Sequence, residues 1–292
     1  MYVVLAAPVA AAESRFFFSG DGALTLHHAH FTGEVLTVRY RDTDGRYDPE
    51  ALARIERFFR SRTDGRHGAV SLRLIELLDY VADRYRPERL TVVSAYRSPE
   101  MNRALKRGGR GVAQSSLHSE GLAVDVQPAG LKLRPLWNAL RAEQLGGVGL
   151  YAGDGFLHLD TGRPRFWEAA TSGVDQNPAK ENARLFARTD FDRYATLDGA
   201  AIRLHSVTAQ PIRIARTARL GAVTLDVAPR DPAVTADGDC WLFDTPAERY
   251  ELVVSAPLAP PPGRAPIRLA TCAPRTGATP AEVLTNPIER LN

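Results

Sequence analysis

Two short stretches carry the side chains best suited to chemistry. SSLHSEGLAVDV, residues 115–126, runs from a polar, Gly-containing loop into an alternating apolar segment and contains His118 and Asp125. In LAVDV the alternation sends Leu122, Val124 and Val126 to one face and Ala123 and Asp125 to the other, so the carboxylate projects from a strand whose back packs into a core. GFLHLD, residues 155–160, repeats the device: Leu157 and Leu159 point one way, and Phe156, His158 and Asp160 the other. Two imidazoles and one carboxylate leave the fourth tetrahedral position of a zinc ion open to water, as a hydrolytic site needs. The plainer alternative is hydrogen-bonded surface side chains, and spacing alone does not choose between the two.

The elements that must position these residues follow from periodicity. GALTLHHA and VLTVRY alternate like strands around the turn TGE. DPEALARIERFFRSR has helical spacing, with Asp48 as cap, Pro49 in the first turn and Leu52, Ile55 and Phe59 on one face. A second helix is predicted at SLRLIELLDYVADRY and another at RPLWNALRAE, while RLTVVSA reads as a buried strand. YRSPEMNRALKR reads as a loop entering a helix, with Ser98 as cap and Pro99 behind it. This half is expected to be an α+β domain with a central antiparallel sheet. After the polar linker ATSGVDQNPAKEN the text changes to short strands (AIRLHSVTA, PIRIART, AVTLDVA, CWLFD, RYELVVSA, PIRLATC) between Pro, Gly and Asp turns, which predicts an all-β, sandwich-like second domain. The expected division is a signal segment over 1–14, a catalytic domain over 15–170, a linker over 171–183 and an accessory domain over 184–292.

Composition sets the limits. A chain of 292 residues with 44% apolar content buries a full core, and two domains suit its length. The net charge is only +3, and of 37 basic residues just Lys106, Lys132 and Lys180 are lysines. No block of like charge and no basic run interleaved with aromatics appears, so nucleic acid is not an expected partner. MYVVLAAPVAAAESR suits the apolar core and Ala-x-Ala site of a secretory signal cleaved after Ala12, although the usual basic start is missing and a buried strand is the other reading. No other segment approaches the ~20 apolar residues of a membrane span, so no stable insertion is expected once the signal is removed. Cys240 and Cys272 are either a disulfide of an exported domain or two buried thiols.

SAYRSPEMNRAL, then GVAQSSLHSEGLAVDV, then GGVGLYAGDGFLHLDTGRPRFW resemble, in order and spacing, the zinc metallopeptidases of the D-alanyl-D-alanine carboxypeptidase and lysostaphin type, and among them the YcbK-like murein endopeptidases. FFFSGDGALTL and RYDPEALARI extend the likeness upstream, so it covers roughly residues 15–168 and leaves out the second domain. The resemblance implies that His118, Asp125 and His158 bind zinc, that Ser116 and Arg97 line the substrate cleft, and that Arg97 pairs with a substrate carboxylate or stabilises an oxyanion. It implies peptidoglycan peptides as substrate, an endopeptidase rather than a carboxypeptidase, and a periplasmic or otherwise exported protein. A cell-envelope binding protein with a vestigial zinc site is the alternative. One departure stands out: the carboxypeptidases of this group place a catalytic Glu three residues before the last ligand, where this chain has Gly155. The expected base is therefore Asp160, on the strand face of His158, or Asp154, just before that strand. For Asp160 the expected role is holding the bound water or a ligand imidazole.

Overall fold

The computed structural model describes residues 14–98, 100–101, 116–162, 164–171, 185–206, 212–243, 249–273 and 281–291. The predicted signal segment up to residue 13, most of the predicted helix after Pro99 and nearly all of the predicted linker lie outside the described residues.

The first half is built on a seven-stranded sheet. Its strands are β1 (Ala23–His28), β2 (Val35–Arg39), β3 (Arg89–Ser94), β4 (Ala123–Ala129), β5 (Gly147–Tyr151), β6 (Phe156–Asp160) and β7 (Arg165–Glu168), in the order β2-β1-β3-β4-β6-β5-β7. The predicted central antiparallel sheet is corrected to a mixed one. The inner pairs β3–β4, β4–β6 and β6–β5 are antiparallel, but β1–β3 and β5–β7 are parallel. The physical reason lies in the connections. Between β1 and β3 the chain makes an antiparallel strand and two helices before it returns, and β7 docks on the free side of β5 after β6 has reversed direction.

Helix α1 (Pro49–Phe58) starts where expected, with the Asp48 carboxylate accepting from the Glu50 and Ala51 backbone N–H groups. Helix α2 (Leu72–Tyr85) ends at Arg86 in the left-handed region, and α3 (Leu133–Ala142) packs against β5 and β6. Leu74, Leu78, Leu136 and Leu140 from α2 and α3 meet Val124, Val126, Leu157 and Leu159 in one core. At ~25 cal/mol per Å² of apolar surface, this packing holds β4 and β6 in register. The α2 helix also carries two fully buried acids, Glu76 and Asp79.

The second half is all β, with ten strands from β8 (Leu185–Thr189) to β17 (Glu282–Arg290) in one hydrogen-bonded sheet and their own core around Ile202, Ile214, Leu252 and Leu269. The ends of the sheet approach each other, because the Thr189 N–H donates to Asn286 Oδ1 at 2.9 Å. Cys240 and Cys272 form a disulfide with Cα atoms 6.6 Å apart. The two halves meet at a polar seam. Arg73 of α2 is buried, donates from Nε to Asp192 Oδ1 at 3.0 Å, and from both terminal nitrogens to the Thr189 carbonyl at 3.2 Å. The segment Ser14–Phe17 lies in this seam: Arg193 Nη1 donates to the Ser14 and Phe16 carbonyls, and the Asp192 and Arg193 N–H groups donate to the Arg15 carbonyl.

Candidate metal centre

Register decides what gathers on the face of the sheet opposite the apolar core. Asp125 of β4 pairs with His158 of β6, which pairs with Gly149 of β5, which pairs with Trp167 of β7. One residue pair along, Ala123, Asp160, Gly147 and Arg165 line up in the same way, and in the other direction Phe156 pairs with Tyr151. Paired residues share a face, so these side chains form one surface. A bulge between Val92 and Ser94 puts Ser94 opposite Asp125 and turns the end of β3 toward the site. His118 enters from the loop before β4, where the Ser116 hydroxyl accepts the His118 N–H at 3.3 Å and the His118 carbonyl accepts from the Arg97 and Gly121 N–H groups.

The structure brings His118, Asp125 and His158 together, each buried, with one ligand atom from each within 4.8 Å of the others. His118 Nε2 lies 3.2 Å from His158 Nδ1 and 3.3 Å from Asp125 Oδ1, and His158 Nδ1 lies 2.9 Å from the same oxygen. The far sides of the rings fix what these atoms are. His118 Nδ1 meets the Ala95 carbonyl at 2.8 Å, so it carries the hydrogen and donates. His158 faces a carboxylate oxygen at 2.9 Å from each nitrogen, Asp160 Oδ2 at Nε2 and Asp125 Oδ1 at Nδ1, and with its hydrogen on Nε2 it donates to Asp160. In the neutral rings, therefore, two nitrogen lone pairs and a carboxylate oxygen converge on one point. Three acceptors without a donor repel each other, and a cation between them, or a proton, removes the conflict. That donor set suits a divalent metal that takes N and O ligands.

Electrostatics fit this for His118 and Asp125, while at His158 they favour the proton that closes the cluster when no cation does. Burial, helped by the nearby Arg97 charge, pushes His118 down to about 4, so it is neutral at ordinary pH and free to ligate. Burial also works against the Asp125 carboxylate, but His118, His158 and Arg97 outweigh it and hold the group well below the usual range. His158 is pulled down by burial and raised by more through Asp125 and Asp160, so its net shift is upward.

Asp160 is not aimed at the converging point. Its Oδ1 accepts from the Gly162 N–H at 2.8 Å, the Gly147 N–H at 3.3 Å and Arg165 Nη1 at 3.1 Å, while Oδ2 accepts from His158 and from Arg165 Nη2 at 2.8 Å. Burial raises this carboxyl, but the His158 hydrogen bond and the Arg165 charge hold it below its ordinary value. Asp154 lies exposed on the β5–β6 hairpin, and only its backbone carbonyl, which accepts from Gln127 Nε2 at 3.5 Å, contacts the sheet face. Arg97 donates from Nη2 to Asp125 Oδ2 at 2.6 Å and from Nε to Ser94 Oγ at 3.0 Å, so it grips the carboxylate oxygen that faces away from the imidazoles.

Three participants escape a reading of the sequence. Arg165 clamps Asp160. Trp167 packs its ring 5.1 Å from the His158 ring, and Tyr151 accepts the Trp167 Nε1 hydrogen at 3.1 Å. All three side chains sit on strands too short or too glycine-rich to show alternation. The glycines were the available signal. A Cβ at Gly147 would fall 2.1 Å from Asp160 Oδ2, and one at Gly149 would fall 2.5 Å from the Trp167 indole. The strand is bare there because side chains from its neighbours lie across it.

Comparison with known proteins places residues 19–167 in the family described as peptidoglycan L,D-endopeptidase MepK. The chain is 33% identical to the peptidoglycan L,D-endopeptidase MepK of Escherichia coli strain K12 over 145 residues, which is 49% of this chain and 79% of that protein. It is 29% identical over 139 residues to the probable peptidoglycan L,D-endopeptidase MepK of Haemophilus influenzae, covering 47% of this chain and 74% of that one. Among solved structures, self-complemented MyfA, the major subunit of Myf fimbriae from Yersinia enterocolitica, aligns with 37% of this chain and 98% of its own, at 13% identity and a TM-score of 0.25. A likeness that low carries no structural conclusion.

Proposed function

Because the chain belongs to the peptidoglycan L,D-endopeptidase MepK family of metallopeptidases, we propose that it hydrolyses peptide bonds in murein as an L,D-endopeptidase, using His118, Asp125 and His158 to hold one zinc ion. The observation that carries this is the convergence of three buried ligand-type atoms within 4.8 Å, with the Ala95 carbonyl and the Asp160 carboxylate placed to take the hydrogen on the far side of each ring. A zinc ion there supplies Lewis acidity and lowers the pKa of a coordinated water to about 7. The chain supplies the rest. The Ala95 carbonyl and the Asp160 carboxylate orient the two imidazoles, and Arg97 fixes the Asp125 rotamer through its outer oxygen. Asp160 is then a positioning residue, since both of its oxygens are already occupied. Arg97, partly exposed at 14%, also presents positive charge to an incoming peptide carbonyl. Ser116 shapes the loop that presents His118.

Peptidoglycan lies in the cell envelope, which makes the protein an exported one. The Cys240–Cys272 disulfide supports this, because such bridges persist in oxidising compartments. Among the described residues no helix is long and apolar enough to cross a membrane. In this proposal residues 15–170 form the peptidase and 184–292 a sandwich-like accessory domain. Their two separate hydrophobic cores support the division.

The test is product analysis on purified muropeptides together with metal stoichiometry. About one zinc per chain is expected, with cleavage of an L,D bond inside the stem or crosslink, lost on chelation and restored by zinc. A metal-loaded protein that leaves every muropeptide intact counts against the proposal.

A further inference from the structure

Where a tyrosine hydroxyl of the first half is hydrogen-bonded, it is in one of two ways. Tyr40, Tyr47, Tyr80 and Tyr85 each donate their hydroxyl hydrogen to a buried carboxylate, Asp79, Glu76 or Glu143. Tyr151 does the opposite. Its oxygen accepts the Trp167 indole N–H at 3.1 Å, and among the described residues no acceptor lies within reach of its own hydrogen. The ring cannot easily turn away, because it stacks on Phe156 with centroids 4.5 Å apart and planes at 13°. The anchor is equally fixed: Trp167 lies across Gly149, packs on His158 and has Arg165 over its ring at 5.1 Å.

Register places this unspent donor beside the metal centre. Tyr151 and His158 share the sheet face, one strand apart and one pair along, a separation of about 5 Å across and 7 Å lengthwise, which a phenol side chain spans. The phenol also feels the charges of Asp125 and Arg97. Burial pushes its pKa up, so at neutral pH it remains a donor.

We propose that the Tyr151 hydroxyl, aimed by Trp167, donates a hydrogen bond to the carbonyl oxygen of the scissile peptide and strengthens that bond as the oxygen becomes an oxyanion. The inference rests on the metallopeptidase function proposed above. It gives that site a catalytic residue on the flank away from Arg97, and an aromatic wall formed by Tyr151, Phe156 and Trp167. A preorganised donor of this kind accelerates the chemical step more than it tightens substrate binding, because the charge it meets appears only in the transition state.

Tyr151→Phe tests this in the full-length, zinc-loaded protein, since the phenyl ring keeps the stack on Phe156. Zinc content and the circular dichroism spectrum are expected to match wild type, KM for a defined muropeptide to change less than about threefold, and kcat to fall by roughly 10²-fold, the usual cost of removing one such donor. Trp167→Phe, which removes the anchoring N–H, is expected to show a smaller kcat loss of the same kind. A Tyr151→Phe protein with wild-type kcat overturns the proposal, as does one in which only KM rises. If zinc-loaded wild type cleaves no muropeptide, the metallopeptidase function fails first and takes this role with it.

Discussion

The peptidase half contains two groups of buried acids, and they are wired in opposite ways. Around Glu76 every acceptor meets a donor: Oε1 takes Arg41 Nε at 2.7 Å and the Tyr47 hydroxyl at 2.8 Å, and Oε2 takes the Ser19 hydroxyl at 2.6 Å. Beside it, Asp79 Oδ2 accepts from the Tyr40 hydroxyl at 2.7 Å and the Gly22 N–H at 2.8 Å, and burial raises that carboxyl to about 6. Around Asp125 the donors are spent on the outside of the cluster and only acceptors face inward. In the first group Asp79 Oδ1 is buried without a partner, and the other oxygens are closed by hydrogens from the surrounding chain, which tie β1, β2 and α2 together. The second is incomplete as protein. Burial and charge are common to both, so neither marks a metal centre; what does is the direction in which the hydrogens point.

Breaking the inward-facing set should have the largest effect. His158→Ala leaves two ligands, so the purified protein is expected to lose most of its zinc and all measurable muropeptide cleavage, well beyond the roughly 10–100-fold cost of losing an outer partner. Metal analysis and a turnover assay check this, and full metal content with unchanged cleavage would end the assignment. Asp160→Asn comes next. The amide keeps the shape but offers a donor or a weaker acceptor to His158 Nε2, so zinc affinity or turnover is expected to fall about 10- to 100-fold with the fold intact. Normal values in both would show that the outer hydrogen bond is idle. The contrast is sharpest in the remaining variant. Glu76→Gln should leave zinc content and turnover of the folded protein unchanged while removing roughly 3 kcal/mol of stability, because Arg41 loses a buried partner. Denaturant unfolding measures the loss, and a Glu76→Gln protein that is stable but metal-free would erase the distinction.

The strands that carry Asp125 and His158 were legible because β4 and β6 alternate cleanly and their apolar sides face the same core. Helices α1 and α2 were legible from spacing, and α1 also from its cap. The parallel edges were not, since β1 and β3 pair across two intervening helices and no local pattern records which strand returns beside which. Strand β17 escaped because Pro287 interrupts EVLTNPIER and reads as a turn. Within the site, alternation put Asp160 on the face of His158 but could not say which imidazole nitrogen it meets. Arg165 and Tyr151 showed no alternation of their own, because their roles depend on register between strands rather than on neighbours in sequence.

The seam between the halves has a consequence for the order in which the chain can mature. Its partners are far apart in the sequence: Ser14–Phe17, Arg73, Thr189–Arg193, and Asn286 with Glu289. The sheet that holds the metal centre needs nothing beyond Glu168 to complete its pairing. A chain emerging amino end first can therefore close that sheet early, whereas Phe16 finds its partner ring only once Phe191 of the second half has followed. Until β17 arrives with Asn286 and Glu289, the seam that holds Ser14–Phe17 down lacks two of its partners.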